Sequence, residues 1–534
     1  MPNGQNISII PEPVSYIKLS GKFKLEETTI INSKLELMVI SEYLKNFLFP
    51  ATGFNLNIKQ MNERHDKENP LTLKIINEND QLGPEGYILE TNPREITISA
   101  KNPAGIFYGV QTLRQILPIE IESKKLVNNL AWEVPCLKIE DYPRFPWRGY
   151  MLDEARHFHG KEVVLKLLDL MALLKLNIFH WHLTDDQGWR IEIKRYPKLT
   201  EIGSKRQGTQ IGGYLSKKIN NIPHSGYYSQ DEIKEIVKYA TDRFITIVPE
   251  IDMPGHTRAL LASYPHLSCK GYKFRVSPRW GIHKDVLCIG KEETFEFLQG
   301  VLDEIINLFP SKLIHIGGDE VPKKRWKECP DCQSRLINEE LQNERALQVY
   351  FTNRIISYLN SKNCKVIGWN DILDENLNES LLIQYWLRKK KKIFEYIHKG
   401  GQVIMSNFKD TYLDHSYSFL PLKLTYNFEP IPRKLRKKYQ NQVLGLEALM
   451  WSEFTPTLKH LEWQTFPRIV ALAEVAWTSK KKKNYNVFLN HLNNFTNRLN
   501  ILGINYAQMK EAHSSFIKRL FGIFTLFREQ KGDK

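Results

Sequence analysis

Two adjacent carboxylates follow a short apolar run in the middle of the chain. Residues 313–316 predict a buried strand, and Gly317 and Gly318 separate this run from Asp319 and Glu320. Neighbouring side chains of a strand normally point to opposite faces. Glycines let the backbone bend where a strand stops or come close to a ligand, so both carboxylates can face one cavity. The stretch therefore predicts general acid/base chemistry.

The elements that would position these acids are short apolar runs that alternate with longer amphipathic segments from Trp147 onward. Eight such runs predict an α/β fold, a closed (β/α)8 TIM barrel. The span 147–505 exceeds the roughly 250 residues typical of this barrel, so long loops, 203–228 and 266–285, are expected at its catalytic face. The predicted strands are 148–152, 177–183, 245–251, 313–316, 365–369, 381–386, 402–405 and 443–450.

Acids and aromatic residues gather at the carboxyl ends of the predicted strands. Barrel enzymes build their sites at this face, so the pattern favours one shared site assembled from many strands. The segments concerned are 153–157, 185–190, 252–256, 319–320, 369–371, 386, 412–414 and 451–453.

Other units are expected on both sides of the barrel. Residues 1–141 mix short β-rich pieces with helical stretches and predict a separate α+β domain. Two prolines in 141–146 mark the boundary, after which the barrel is assigned to residues 142–505. A basic and apolar extension, 506–534, follows; its segment 516–527 is expected to dock on the protein, with pairing to another subunit or contact with an anionic surface as alternatives.

The charge balance does not indicate a nucleic-acid partner. The chain of 534 residues carries 75 Lys and Arg against 60 Asp and Glu, a formal charge of +15. The excess lies in runs such as 433–438 that lack interleaved aromatic residues, so these runs are interpreted as solvated surface. No apolar run approaches the roughly 20 residues of a membrane span, and the first residues show no signal peptide, which favours a cytoplasmic location.

Metal binding is not expected from the cysteine and histidine patterns. Six cysteines are few for this length, and reduced thiols are expected. Cys329 and Cys332 form a lone CxxC without a second pair to complete a four-ligand zinc site. His180 and His182 lie on one side of a predicted strand, but no third ligand stands at a sensible spacing, so they are interpreted as barrel-core residues.

Four motifs in order carry a resemblance to a known family. Residues 152–158 (LDEARHF), 180–190 (HWHLTDDQGWR), 249–256 (PEIDMPGH) and 315–320 (HIGGDE) resemble glycoside hydrolase family 20, the β-N-acetylhexosaminidases and chitobiase-like enzymes. The resemblance covers about residues 100–505 and includes a small α+β domain before a barrel. It implies catalysis without a cofactor.

The resemblance also implies catalytic roles. The substrate's own acetamido oxygen would be the nucleophile, an exception to the usual pair of enzyme carboxylates. Glu320 would be the general acid and later the base, while Asp319 would orient the acetamido group and stabilise its developing charge. Tyr412 would hydrogen-bond the acetamido oxygen from the other side.

A neutral Glu320 needs partners and partial burial. By the resemblance, His256 and Asp185 supply that network. For His256 the alternative is a hydrogen-bonded histidine beside a Pro-Gly turn, and for Asp185 it is the cap of a following helix or turn. Asp186 competes with Asp185 for the role.

Sugar binding requires apolar faces and hydroxyl partners. Trp369, Trp386 and Trp451 match the family's aromatic box. Other tryptophans, Trp147, Trp181 and Trp189, are interpreted as core or wall residues.

Charged residues would hold the ring hydroxyls of the sugar. By the resemblance these are Arg156, Asp414 and Glu453. The alternative for Arg156 is a structural salt bridge with Asp153 or Glu154.

These roles imply a retaining, metal-independent exo-β-N-acetylhexosaminidase that removes terminal β-linked N-acetylglucosamine or N-acetylgalactosamine from oligosaccharides or glycoconjugates through an oxazolinium intermediate. One alternative is a related β-glycosidase, with a protein nucleophile or releasing a disaccharide. A non-catalytic carbohydrate-binding protein is the other. A homodimer is possible.

Overall fold

A computed structural model describes residues 7–60, 69–77, 79–377 and 380–513 of the protein. The segment 516–527 of the predicted extension lies outside these residues. Among the residues described, no helix is both long and apolar enough to cross a membrane.

The first part of the chain forms a seven-stranded mixed sheet in the order β1-β7-β5-β6-β4-β2-β3. In β5 and β6, buried residues alternate with partly buried ones, as expected of strands that pack one face on a core. The strands are β1 Ser15–Lys24, β2 Ile30–Ser33, β3 Asn57–Gln60, β4 Pro70–Ile75, β5 Tyr87–Thr91, β6 Ile96–Ala100 and β7 Glu133–Asp141.

The second part contains eight parallel strands that close into a barrel in the order β14-β15-β16-β17-β18-β19-β8-β9. The predicted fold class, a (β/α)8 barrel preceded by an α+β unit, is confirmed. Each of the eight predicted runs contains one barrel strand or differs from it by one or two residues at an end. The barrel strands are β8 Trp147–Asp153, β9 Ile178–His182, β14 Thr246–Glu250, β15 Leu313–His315, β16 Lys365–Trp369, β17 Leu382–Tyr385, β18 Val403–Met405 and β19 Val443–Met450.

Two short hairpins and sixteen α-helices complete the two units within the described residues. The hairpins pair β10 Thr184–Asp185 with β11 Gly188–Trp189, and β12 Lys205–Arg206 with β13 His224–Ser225. The helices are α1 Met38–Thr52, α2 Pro103–Ile116, α3 Lys161–Leu173, α4 Lys198–Glu201, α5 Gln230–Thr241, α6 Arg258–Ser263, α7 Glu292–Leu308, α8 Lys324–Lys327, α9 Pro330–Asn338, α10 Glu344–Ser361, α11 Lys390–His398, α12 Leu422–Tyr426, α13 Leu458–Thr465, α14 Arg468–Trp477, α15 Tyr485–Ile501 and α16 Met509–Ala512.

Buried ion pairs join the sheet to the bottom of the barrel. Arg148 of β8 lies 2.7 Å from Glu85, and Lys175 lies 2.9 Å from Asp141 at the end of β7. The Tyr87 hydroxyl also donates to Asp141 at 2.7 Å. Breaking such a pair would leave an unpaired buried charge, so these contacts fix the sheet against the barrel.

A polar network fills the upper barrel core. Glu250 of β14 lies 3.0 Å from His180, 2.6 Å from His182 and 3.0 Å from His315, and the Trp369 indole N–H donates to it at 2.8 Å. His180 and His182 are thus hydrogen-bonded core residues, as the sequence predicts. Because the network joins four strands, it holds in place the strand ends that carry the candidate site residues.

Candidate active site

The turn after β15 depends on its two glycines. Gly317 and Gly318 have φ of +63° and +91°, in the left-handed region that disfavours other residues. A Cβ atom on Gly317 would lie 1.9 Å from Oδ1 of Asp252, the same oxygen that accepts a hydrogen bond from the Gly318 amide at 3.1 Å. This close packing turns the chain so that Asp319 and Glu320 both line one cavity.

That cavity lies at the carboxyl ends of the barrel strands and encloses about 250 Å³. It contains four of the five predicted catalytic residues and all six predicted substrate-binding residues. The predicted residues that line it are Arg156, His256, Asp319, Glu320, Trp369, Trp386, Tyr412, Asp414, Trp451 and Glu453. Asp185 does not line the cavity, but it contacts His256, which does.

His256 lies between two pairs of acids, Asp185 with Asp186 on one side and Asp319 with Glu320 on the other. Its Nδ1 lies 3.1 Å from Asp185 and 3.2 Å from Asp186, and its Nε2 lies 3.8 Å from Asp319 and 3.9 Å from Glu320. Burial alone would lower the pKa of His256, but the neighbouring carboxylates outweigh burial and raise it well above its ordinary value. The imidazolium therefore faces the pair as a fixed positive charge.

Both predicted competitors, Asp185 and Asp186, contact the imidazole, but their other contacts differ. Asp185 also lies 2.7 Å from Arg156 and 3.0 Å from His182. Burial would raise its pKa, yet Arg156 and His256 hold it well below the ordinary value. Asp186 instead accepts a hydrogen bond from the Arg258 amide at 2.9 Å. Asp185 thus joins the substrate-facing Arg156 to His256, whereas Asp186 anchors the next helix.

The carboxylate pair holds protons more tightly than ordinary acids do. Burial, with Glu320 nearby, raises the pKa of Asp319 to about 7 despite the opposing charge of His256. Burial likewise raises the pKa of Glu320. Each shift favours the protonated carboxyl more than in an exposed acid. A carboxyl that keeps its proton near neutral pH can serve as a general acid.

Asp319 also has an unused oxygen. Its Oδ1 is buried, and no group within the residues that the structure describes forms a hydrogen bond with it. A buried acceptor without a partner is costly, which indicates a position reserved for a ligand donor.

Aromatic rings form part of the cavity lining. Trp451 lies 6.0 Å from Trp369 and 6.5 Å from Tyr412, and Tyr412 lies 6.3 Å from Trp386 between ring centroids. The Trp386 indole N–H donates to Asp371 at 2.7 Å, which fixes the ring. These faces suit the C–H face of a pyranose. Trp147, Trp181 and Trp189 are buried and do not line the cavity.

The other charged residues that line the cavity are Arg156, Asp414 and Glu453. Arg156 lies 3.4 Å from Asp153 and 2.7 Å from Asp185, so the structural salt bridge weighed from the sequence is present. The guanidinium nonetheless lines the cavity, 4.9 Å above the Trp451 ring. Burial raises the pKa of Asp414 well above its ordinary value, and Glu453 nearby adds to the shift. Hydroxyl groups of a ligand would relieve this repulsion between carboxylates.

Some lining residues were not predicted from the sequence. Tyr214 and Gly281 come from the loops 203–228 and 266–285, which were expected at this face without assignment of single residues. Phe408, His415 and Phe454 complete the lining. Phe454 directly follows a predicted residue, and this adjacency was the one signal available for it.

The histidine and acids of the site also have ligand atoms close enough to share a metal ion. Single ligand atoms of His256, Asp319 and Glu320 lie within 4.8 Å of one another. The Nδ1 of His256 is hydrogen-bonded to Asp185, and its Nε2 faces Asp319 and Glu320. An imidazole placed between carboxyl groups in this way also suits acid/base chemistry.

Asp319→Asn is expected to stabilise the protein at pH 8. The native pKa of about 7 exceeds the ordinary 3.8, so the stability that this group contributes is present below pH 3.8 and lost as the pH rises through 7. Asparagine cannot ionise and avoids that loss, which the shift from 3.8 to about 7 puts at about 4 kcal/mol. Thermal unfolding of both proteins from pH 4 to pH 8 measures it. A stability difference independent of pH would contradict the raised pKa.

Comparison with known proteins follows the same division of the chain. Residues 145–480 match the model of the glycosyl hydrolase family 20 catalytic domain, and residues 6–142 match that of glycosyl hydrolase family 20, domain 2. A β-hexosaminidase of Porphyromonas gingivalis is 38% identical over 517 residues, 94% of this chain. The match spans 64% of that protein, less than two thirds of its length.

Solved structures agree over almost the whole chain. A family 20 β-N-acetylhexosaminidase from Streptomyces coelicolor superimposes with a TM-score of 0.82 at 29% identity, covering 95% of this chain and 98% of that one. A β-N-acetylhexosaminidase from Bacteroides fragilis gives 0.81 at 30% identity, covering 96% and 99%.

Proposed function

Because the chain belongs to glycosyl hydrolase family 20, we propose that it is a retaining exo-β-N-acetylhexosaminidase acting on terminal, non-reducing β-linked N-acetylglucosamine or N-acetylgalactosamine. The observation that carries the proposal is the buried, unpartnered Oδ1 of Asp319 beside Glu320 in an aromatic cavity. An amide N–H of the sugar is the donor that this oxygen lacks. Activities in the relatives' names support the same substrate class.

In the first step, the acetamido carbonyl oxygen attacks C1 of the bound sugar. The C1–O bond to the leaving group breaks, and Glu320 donates its proton to the departing oxygen. Asp319 accepts the acetamido N–H and stabilises the positive charge that spreads over the new oxazolinium ring. Tyr412 lies among the box tryptophans and holds the acetamido oxygen on the path to C1.

In the second step, water opens the ring. Glu320, now a carboxylate, removes a proton from the water as it attacks C1 from the face that the leaving group vacated. The C1–O bond to the acetamido oxygen breaks, and the acetamido group is restored. Two inversions at C1 give net retention.

His256 and Asp185 position the pair and its proton. The imidazolium 3.8 Å from Asp319 opposes the rise that burial causes in the pKa of that carboxyl. Burial also raises the pKa of Glu320, which favours the protonated form that a general acid requires. Asp185 holds the imidazole from behind and also binds Arg156. Asp185 thus contacts both His256, which lies beside the catalytic carboxyls, and Arg156, which would bind the sugar.

Glu453→Gln is expected to weaken sugar binding more than turnover. Glu453 lines the cavity and would accept hydrogen bonds from sugar hydroxyls, each worth about 1.5–3 kcal/mol for a charged acceptor. We expect kcat/KM to fall about 10- to 100-fold, mainly through KM. Steady-state kinetics measure this, with Glu36→Gln in the exposed surface of the first unit as control. A loss confined to kcat would contradict the binding role.

Two measurements test the proposed activity. The enzyme should release nitrophenol from the 4-nitrophenyl β-glycosides of N-acetylglucosamine or N-acetylgalactosamine, and the paired rates report its choice between the two sugars. A thiazoline mimic of the cyclised intermediate should inhibit strongly. Turnover that is insensitive to the thiazoline would favour a β-glycosidase with a protein nucleophile, and no turnover would favour a carbohydrate-binding protein.

Glycans are the partners that this function requires. The basic runs lack the interleaved aromatic residues of a nucleic-acid surface, which supports a carbohydrate rather than a nucleic-acid ligand. A cytoplasmic location and a homodimer stay predictions.

A further inference from the structure

Four cysteines from three separate parts of the chain meet outside the active site. Cys329 and Cys332 form the CxxC at the start of α9, and Cys269 and Cys288 come from the loop before α7. The sequence shows no second pair close to the CxxC, but folding brings two distant cysteines to it. Three of the four side chains are buried, and Cys269 is partly buried.

The spacing of the sulfur atoms fits one tetrahedral metal ion. Sγ of Cys288 lies 3.6 Å from those of Cys329 and Cys332, and Sγ of Cys269 lies 3.8 Å from that of Cys332. All four sulfurs lie within 4.8 Å of one another. With Zn–S bonds of about 2.3 Å, tetrahedral geometry separates thiolates by about 3.8 Å. A disulfide would require about 2.05 Å, and the four cysteines are free thiols.

The backbone holds the segments in this arrangement. A bridge pairs Ser268 with Leu287, and the Cys288 amide donates to the Leu267 carbonyl at 2.8 Å. A Cβ on Gly290 would lie 2.1 Å from the carbonyl carbon of Asp331, so only glycine allows the loop to approach the CxxC this closely. The cluster is therefore built by specific packing.

We propose that Cys269, Cys288, Cys329 and Cys332 bind one structural zinc ion as thiolates. Each thiol releases its proton on binding, and four thiolates with Zn²⁺ carry a net charge of −2. Two cations on the bounding segments would offset it: Lys291 donates to the Ser268 carbonyl at 3.2 Å, and Arg335 donates to the Gly290 carbonyl at 3.3 Å. Four protein ligands close the coordination sphere, which is typical of structural rather than catalytic zinc.

The ion would cross-link two segments that border the active site. The loop 266–290 contains Gly281, which lines the catalytic cavity, and the CxxC follows Glu320 by nine residues along the chain. Other contacts join the same segments: the Trp326 indole donates to the Leu287 carbonyl at 2.8 Å, and Arg325 lies 2.6 Å from Asp285. Zinc would thus stabilise the cavity wall without touching the substrate.

Metal analysis of the purified full-length protein tests the proposal. We expect about one zinc per chain for the wild type and for Cys364→Ser, a buried cysteine outside the cluster that serves as the matched control. Cys288→Ser and Cys332→Ser should lose the metal. Cobalt in place of zinc should give the visible absorption of a tetrahedral thiolate site in the wild type and in the control.

Wild-type measurements keep the test independent of whether the serine variants fold. Removing zinc with a strong chelator should lower the thermal midpoint, and added zinc should restore it. Wild-type protein containing no zinc with four titratable thiols would overturn the proposal. A disulfide between any two of these cysteines, or iron in place of zinc, would overturn it as well. Because glycosidase activity is not the readout, failure here is distinguishable from failure of the proposed function.

Discussion

Glu320→Gln is expected to lower kcat/KM about 10²- to 10⁴-fold on a β-linked N-acetylglucosamine disaccharide. Glutamine occupies the same volume but cannot give a proton to a poor leaving group such as a sugar hydroxyl. The raised pKa of Glu320 indicates a carboxyl that keeps its proton for this purpose. Steady-state kinetics of the purified variant on the disaccharide measure the loss.

The leaving group separates the two duties proposed for Glu320. Nitrophenolate departs without protonation, so Glu320→Gln should lower kcat/KM less on the nitrophenyl glycoside than on the disaccharide. The loss of activity that is still seen on the nitrophenyl glycoside would reflect the second step, in which Glu320 activates water. The matched control is Glu36→Gln, which changes the same functional group at an exposed position far along the chain. Equal losses on both substrates would contradict the assignment of Glu320 as the acid.

Asp319→Asn is expected to lower kcat about 10²- to 10³-fold with little change in KM. The Oδ1 that has no partner in the described residues would accept the acetamido N–H, and this contact strengthens as positive charge develops on the amide. Asparagine keeps an oxygen acceptor but not the negative charge, so binding of the uncharged substrate changes less than the transition state does. Paired kcat and KM values measure the division.

The comparison variant for this prediction is Asp231→Asn, a strongly exposed aspartate on α5, which should leave both constants unchanged. If thermal unfolding shows the stability gain expected for Asp319→Asn at pH 8, the variant is folded and lost turnover cannot be attributed to unfolding. A rise in KM with unchanged kcat would contradict a role for Asp319 in charge stabilisation.

Much of the barrel was predictable because its strands are buried on both sides. Such strands appear in the sequence as continuous apolar runs, and the predicted runs 365–369 and 443–450 coincide with β16 and β19. The strand before the acids is shorter than predicted, since β15 ends at His315. Ile316 follows the strand and precedes the two glycines, and a hydrophobic residue at a strand end does not reveal where the strand stops.

Contacts between distant segments could not be predicted from periodicity. The motifs contain both His256 and Asp185, but the sequence does not show that the imidazole lies 3.1 Å from one and 3.2 Å from the neighbouring Asp186. The four cysteines illustrate the same limit. Cys269 and Cys332 are 63 positions apart, and only the fold of two long loops places their sulfurs in contact.

Two loops contribute further residues to the cavity lining. Tyr214 and Gly281 reach the cavity from two long segments whose composition predicts exposure and turns but not direction. A barrel strand has two possible orientations for each side chain, whereas a loop of some 20 residues has many. The strand-end residues were therefore predictable one by one, and the loop residues only as segments.

The nucleophile is the central claim, and it can be tested on the substrate rather than the enzyme. Nitrophenyl glycosides whose N-acetyl group carries zero, one, two or three fluorine atoms differ mainly in the electron density on the amide oxygen. If that oxygen attacks C1, kcat/KM must fall steeply with each fluorine, and the corresponding 2-hydroxy glucoside must be almost inert. Rates that are equal across the series, or a glucoside cleaved as fast as the acetamido sugar, would show that the acetamido oxygen is not the nucleophile.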